Sequence, residues 1–148
     1  MKVHELMTKN PVCCAPSDSV QDAARLMAAN EVGSLPVVDG NESGRPLGIV
    51  TDRDLAIGAL AEGRIDARVS DVMTPNPFTV RDSDDVGEVN RIMSEEQVRR
   101  VPVVNDKGKV VGIVAQADLA LSQGGVSVSE VGRVVERISE PEGASGKS

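Results

Sequence analysis

Thr51 and Asp54 are the residues whose types and spacing are best suited to chemistry. They close the stretch Gly48-Ile49-Val50-Thr51-Asp52-Arg53-Asp54, after which Leu55, Ala56, Ala59 and Leu60 recur at helical spacing. A hydroxyl followed three residues later by a carboxylate is a relative of the capping box. The hydroxyl accepts the third helical amide and the carboxylate reaches back to the cap amide. That alone stabilises a helix by about 1 kcal/mol. The same geometry suits a ligand. A helix start offers free amides and a positive dipole end to phosphate, and a short carboxylate beside it can accept from both hydroxyls of a ribose. Arg53 flanks the pair; it could reach a polyphosphate or form a surface ion pair worth little.

A degraded copy of this stretch, Gly112-Ile113-Val114-Ala115-Gln116-Ala117-Asp118, helps to choose between the two roles. Ala115 has lost the hydroxyl while Asp118 remains. A pure cap would sooner keep the threonine than the aspartate, so the pattern favours a ligand role for the carboxylate. A second site without the hydroxyl would bind more weakly, prefer a ligand without phosphates, or stay empty. Arg99 and Arg100 form the other constellation, just before the apolar run Val101–Val104. They are either solvated arginines at a strand entry or guanidinium forks able to hold two phosphate oxygens each. Their counterparts in the first copy, Gly33-Ser34, are uncharged. The asymmetry predicts at least one preferred site for a phosphate-bearing ligand, combining Thr51 and Asp54 with Arg99 or Arg100 across the copies.

The elements that must position these residues are repeated. Residues 3–40 align with 69–106 at a constant offset of 66. The loop Asn41–Pro46 is two residues longer than its counterpart, and the offset then becomes 64. Within each copy, Val3–Met7 and Val69–Met73 read as short helical lead-ins. Asn10-Pro11 and Asn76-Pro77 break them, because the residue before proline avoids the helical region. Val12–Cys14 and Phe78–Val80 read as strands. Ser17-Asp18 and Ser83-Asp84 supply caps for helices with Val20, Ala23 and Met27, or Val86, Val89 and Met93, on one face. Leu35–Val38 with Leu47–Val50, and Val101–Val104 with Val110–Val114, read as hairpins. Helices over Asp52–Ala61 and Gln116–Leu121 complete the copies.

The predicted fold class is therefore α+β, with an α/β-like alternation. Two β-α-β-β-α repeats, over 1–66 and 67–124, pack with pseudo-two-fold symmetry and leave clefts between them. One copy of about 55–60 residues has a marginal core alone, which argues for a shared one. Val128, Val131, Val135 and Ile138 make an apolar stripe in residues 125–148, predicting a C-terminal amphipathic helix. It would pack on its own domain or against a second copy. Glu140–Ser148 is polar and Gly-rich, as a disordered tail is.

Composition narrows the function classes. The net charge of −7 argues against a chain-wide nucleic-acid surface. With Phe78 as the lone aromatic residue, stacking of bases is nearly unavailable. No apolar run approaches a membrane span, and Met1-Lys2-Val3-His4-Glu5 lacks the apolar core of a secretory signal. A soluble cytoplasmic protein, binding neither nucleic acid nor membrane, is expected. Cys13 and Cys14 are adjacent, so on a strand they point to opposite faces. They read as one buried and one exposed thiol in a reducing compartment. With His4 the single histidine, a structural zinc site lacks ligands. There is no Gly-rich phosphate loop and no Ser/His or Cys/His constellation, and Asp52, Asp54 and Asp118 are not spaced as a catalytic set. An enzyme is not expected.

The ordered, doubled motifs identify a resemblance over residues 1–122. Met7-Thr8 and Met73-Thr74, Leu35-Pro36-Val37-Val38-Asp39, Arg99-Arg100-Val101-Pro102-Val103-Val104, Gly48–Asp54 and Gly112–Asp118 together resemble a tandem pair of CBS domains, the Bateman module. The chain is similar to the small stand-alone CBS-pair proteins of bacteria. The resemblance implies a regulatory module, not a catalyst. Its ligands would be adenosyl compounds such as AMP, ADP, ATP or S-adenosylmethionine, held between the copies. Thr51 would sit at phosphate and Asp54 at ribose, with Asp118 the second carboxylate and Arg99 or Arg100 the basic partner. The adenine would lie against backbone near Pro36-Val37, Pro102-Val103, Val12–Cys14 and Phe78–Val80. The resemblance also implies a homodimer and an unidentified target protein that reads the ligand state. The alternative is a ligand-free interaction or dimerisation module, which Ala115 and the C-terminal stripe favour.

Overall fold

The structure is a computed structural model and describes residues 1–40 and 43–122, the last two of these by backbone alone. The elements run α1 (Val3–Leu6), β1 (Thr8–Lys9), α2 (Val20–Asn30), β2 (Ser34–Val38), β3 (Pro46–Thr51) and α3 (Asp52–Leu55), which continues into a π-helical turn (Ala56–Leu60). They go on as α4 (Val69–Val72), β4 (Thr74–Pro75), β5 (Val80–Arg81), α5 (Val86–Glu96), β6 (Arg100–Val104), β7 (Val110–Ala115) and α6 (Gln116–Ser122). The fold is α+β. Asn41 and the C-terminal stripe and tail lie outside the described residues. No helix among the described residues is long and apolar enough to cross a membrane.

The chain forms two compact units, and each takes the lead-in of the other repeat. One comprises Pro11–Pro77; the other comprises Met1–Asn10 with the described residues from Phe78 onward. The repeats in the sequence thus divide at 66/67, whereas the compact units divide at 10/11 and 77/78. In the first unit an antiparallel sheet runs β2-β3-β4, with Thr74 opposite Ile49 and Pro75 opposite Gly48. In the second, the order is β1-β7-β6-β5, with Thr8 opposite Ile113 and Lys9 opposite Gly112. The docking of each lead-in requires glycine. A Cβ on Gly48 would lie 2.7 Å from Met73 Sδ and 2.8 Å from the Thr74 carbonyl oxygen. A Cβ on Gly112 would collide with the Met7 side chain.

Apolar periodicity explains both cores. On α2, Val20, Ala23 and Met27 are buried at spacings of three and four, as an amphipathic helix requires. Ala23 and Met27 meet Leu35, Val37 and Val50 from the sheet, with Cys14 and Val69. On α5, Val89, Ile92 and Met93 do the same against Val101, Val103 and Val114, and Val3 and Leu6 of the lead-in complete that core.

Several local expectations are corrected. Val12–Cys14 is not a strand: Cys14 alone bridges in parallel to Val37. The strand expected over Phe78–Val80 is displaced to Val80–Arg81, where it pairs in parallel with Val103 and Val104. The caps also shift. Asp18 accepts the Ala15 N–H at 2.8 Å and Asp84 the Arg81 N–H at 2.9 Å, closing the preceding turns. The capping falls to Ser19, which accepts from Asp22 N–H, and to Asp85, which accepts from Gly87 N–H. The helix predicted over Asp52–Ala61 widens into a π turn at Ala56. There Gly58 lets α4 approach so closely that a Cβ would meet Val72 Cγ1 at 3.0 Å. The lead-in helices end before the expected Asn-Pro breakers, at Leu6 and Val72, where Met7 and Met73 turn extended into β1 and β4; Asn10 and Asn76 follow in the left-handed region, at φ 50° and 52°, a conformation asparagine tolerates better than most residues.

Candidate functional site

The strand β3 is buried through Val50 and ends at Thr51, whose extended backbone (φ −115°, ψ 165°) turns the chain into α3. The capping box is complete. Thr51 Oγ1 accepts the Asp54 N–H at 3.1 Å, and Asp54 Oδ2 accepts the Thr51 N–H at 2.9 Å. The neighbouring Asp52 N–H donates to the Gly33 carbonyl at 2.9 Å, tying the helix start to the head of β2. Thr51 and Asp54 are half-buried, whereas Arg53 points its residue surface outward and is exposed. One oxygen of Asp54 is therefore committed to the main chain. The cap locks the carboxylate at the mouth of β3, and a locked carboxylate can accept from ligand hydroxyls without first losing side-chain freedom.

The second unit repeats the frame with different chemistry. Asp118 Oδ2 accepts the Ala115 N–H at 2.9 Å, and the Gln116 N–H donates to the Arg99 carbonyl at 2.8 Å. The carboxylate bond thus survives the loss of the threonine. Burial pushes the Asp118 carboxyl above its ordinary range; the Ala115 amide and the positive charge of Arg100 pull the other way without cancelling it. Arg100 begins β6 directly opposite Ala115, the register position that Ser34 holds opposite Thr51 in the first unit. The two arginines therefore part company. Arg100 is half-buried beside Asp118 in its own unit, while Arg99 is exposed and takes part through its main chain.

The residues expected to line an adenine are mostly core. Pro36, Val37, Pro102 and Val103 are buried, and Val37 and Val103 pack in the cores of their own units. The Pro36 carbonyl already accepts the Cys14 N–H at 3.0 Å. Val12 packs half-buried against the first core. Cys13 is half-buried rather than exposed, and its Sγ–H donates to the Pro11 carbonyl at 3.3 Å. Burial raises the Cys13 thiol above the ordinary 9.0. The Cys14 thiol is pushed up to about 12, chiefly by burial and further by the Asp18 carboxylate and Cys13. Phe78 is 47% exposed and is the residue of this set with a large free apolar surface. Among the described residues no group of three or more His, Cys, Asp or Glu is arranged to hold a metal.

A groove of about 430 Å³ runs between α2 and the α3–π segment, lined by Val20, Ala24, Met27, Leu55, Ala59 and Leu60. Leu60 at 68% and Ile65 at 69% exposure stand on its rim. The signal was present in the composition of Leu55–Ile65, which carries apolar residues on more than one helical face. A single buried stripe accounts for Ala59 but not for Ile57 and Leu60.

Comparison with known proteins agrees with this architecture. The family model for the CBS domain matches residues 3–58 and again 69–123. An uncharacterised protein of Bacillus subtilis strain 168, YlbB, is 41% identical over 124 residues, which cover 82% of each chain. The CBS domain pair of protein MJ0100, solved in complex with 5-methylthioadenosine and S-adenosyl-L-methionine, superposes with a TM-score of 0.74 at 33% identity. That match covers 84% of this chain and 97% of the other. CBSX2, solved in complex with AMP, superposes with a TM-score of 0.69 at 33% identity, over 84% and 96% of the two chains. The chain belongs to the CBS-domain family and carries two CBS domains in tandem.

Proposed function

We propose that this chain is a regulatory module that binds an adenosine-containing ligand, of the class of AMP, ADP, ATP or S-adenosylmethionine, and presents the bound state to a partner protein. In this reading Asp54 and Asp118 accept from ribose hydroxyls, Thr51 and the arginines serve phosphate, and the chain performs no catalysis of its own. The ligand acts by preferring one arrangement of the module over another, which is the sole way binding can shift an equilibrium. The observation that carries the reading is Asp118. Its carboxylate is retained where its threonine partner is not, in a setting whose burial disfavours the charged form. A residue kept for capping would be expected to do better than that. The adenosine ligands of the MJ0100 pair and of CBSX2 support the same class. The two free thiols agree with a reducing, cytoplasmic setting.

A calorimetric titration with AMP, ATP and S-adenosylmethionine, repeated on Asp54→Ala, tests this. Binding weakened tenfold or more by the substitution is expected; binding unchanged would remove Asp54 from the site. Because the chain has neither Trp nor Tyr, a co-purified adenine nucleotide would dominate the ultraviolet spectrum near 260 nm. We further infer a homodimer, in which the rim residues Leu60 and Ile65 of one copy enter the alanine-lined groove of the other. Sedimentation of Leu60→Asp should then show a monomer. A dimer that forms with no adenosine ligand binding at all would favour the interaction-module reading instead.

A further inference from the structure

The groove of the first unit and the apolar stripe that follows the second repeat are each half of a contact. The groove holds about 430 Å³ between α2 and the π-helical turn. Ala24 and Ala59 line it, and the distance between packed helices is set by the side chains at the contact, so alanines suit the close approach of a third helix. Val20, Met27 and Leu55 add larger apolar surface, and Leu60 and Ile65 stand exposed at the rim. Covering such surface is favourable. The second repeat does not reproduce it. The counterparts of Ala24, Ala59 and Leu60 are Asn90, Gln123 and Gly124. Whatever covers the groove is therefore specific to the first unit.

The chain carries a segment of matching chemistry outside both family matches, which end at residue 123. Val128, Val131, Val135 and Ile138 recur at spacings of three, four and three, the anchor pattern by which an amphipathic helix enters an apolar groove. On a helix they make a row about 15 Å long, against about 10 Å from Val20 to Met27 along α2, and the rim residues Leu60 and Ile65 extend the apolar surface beyond α2. Glu130, Arg133, Glu136 and Arg137 fall on the other sides of such a helix, where they keep their water. The tether from Ser122 to Val128 contains Gly124 and Gly125 and spans at most about 20 Å. A tether that short presents its segment at a millimolar effective concentration, which a separate molecule at micromolar concentration does not match.

We propose that residues 126–139 dock as an amphipathic helix in the α2/π groove of their own chain, and so compete with a second copy for it. The docking is independent of the adenosine reading; the competition rests on the homodimer inferred above. Leu60 and Ile65 of a second copy and the stripe of the same chain cannot both fill about 430 Å³. Pairing then requires the segment to leave, and the affinity of one copy for another falls with the fraction of chains whose groove is open.

The test uses the full chain and exploits its lack of Trp and Tyr. Ile138→Trp places a single fluorophore on the stripe. Its emission should be blue-shifted and shielded from acrylamide at every dilution, and adding Ala24→Glu or Leu60→Asp should expose it. Circular dichroism verifies that each variant is folded. Emission that ignores both groove variants would overturn the docking. Shielding lost on dilution would place the segment on a second copy and overturn docking within one chain. Sedimentation reads the competition. Val131→Asp should pair at least about tenfold more tightly than the unaltered chain, and the gain should vanish when Leu60→Asp is added. Pairing no tighter in Val131→Asp would overturn the competition. Shielding that persists while no variant pairs would remove the homodimer and leave the docking standing.

Discussion

Thr51→Ala isolates the structural share of the capping box from any ligand role. The substitution removes Oγ1, which accepts the Asp54 N–H at 3.1 Å in a half-buried position. It leaves the reciprocal bond, because that bond uses the main-chain N–H of residue 51, which alanine retains. The second unit shows that the half-box is self-sufficient: Ala115 N–H meets Asp118 Oδ2 at 2.9 Å, the same distance as Thr51 N–H to Asp54 Oδ2. The loss is therefore one neutral hydrogen bond at a helix start, about 1 kcal/mol. Over a chain of this size that lowers the thermal midpoint by about 2–4 °C. Ala115→Thr is the mirror experiment and should recover up to about 1 kcal/mol, provided the new hydroxyl fits beside Arg100. With no Trp or Tyr to report by fluorescence, urea unfolding followed by far-ultraviolet circular dichroism is the assay. The midpoint should move at constant slope. If Thr51→Ala leaves the midpoint unchanged, or Ala115→Thr destabilises as much as Thr51→Ala does, the hydroxyl is not a cap and the argument from the second copy collapses.

Three further outcomes follow from the same structure. Burial raises the Asp118 carboxyl above its ordinary 3.8, so over the interval between those values the unfolded chain has released a proton that the folded chain keeps. Stability is then fully present below 3.8, falls as pH rises through the raised value, and stays lowered at neutral pH. Asp118→Asn keeps an oxygen for the Ala115 amide and should be at least as stable as the unaltered chain at pH 7; a clear loss there would show that Arg100 outweighs burial. The Cys14 thiol, pushed up to about 12 from 9.0, is uncharged at neutral pH and shielded by the core. Labelling by a thiol-disulfide reagent at pH 8 should be slow in the native protein and complete on unfolding, and stability should fall as pH rises from 9.0 towards 12. Rapid native labelling of Cys14 would contradict its burial. Gly48→Ala drives a Cβ to 2.8 Å from the Thr74 carbonyl, a backbone atom with little freedom, whereas Gly112→Ala meets the Met7 side chain, which can rotate away. The first should cost about 1–3 kcal/mol and the second less; the reverse order in denaturant midpoints would mean that the lead-ins are not docked as described.

What the sequence made legible is what periodicity and repetition encode. Buried positions such as Val37, Val50, Val103 and Val114 follow from alternation in short apolar strands, and Val20, Ala23 and Met27 from helical spacing. The doubling of the motifs carried the family. The errors have a common physical origin in competition among neighbouring polar side chains. Ser17, Asp18 and Ser19 are all good caps by type, and the choice of Ser19 depends on Asp18 having found the Ala15 amide first. The exchange of lead-ins was equally out of reach. Val3, Leu6 and Met7 have the pattern of a helix that must be buried, but nothing in the pattern says which repeat buries them.

The arginine pair is the instructive case for function. By type and adjacency Arg99 and Arg100 form one basic patch, and a patch can be assigned to any anion within reach. Register dissolves the patch. Once Arg100 is opposite Ala115 and Ser34 is opposite Thr51, the two differences between the copies become one event, a hydroxyl pair exchanged for a methyl and a guanidinium. Under the proposed nucleoside reading, a carboxylate kept beside that exchange marks a strand end with a ligand role, whereas a strand end without one would be free to lose Asp118 as well. The retained carboxylate, in surroundings that disfavour its charge, is the residue on which that distinction turns.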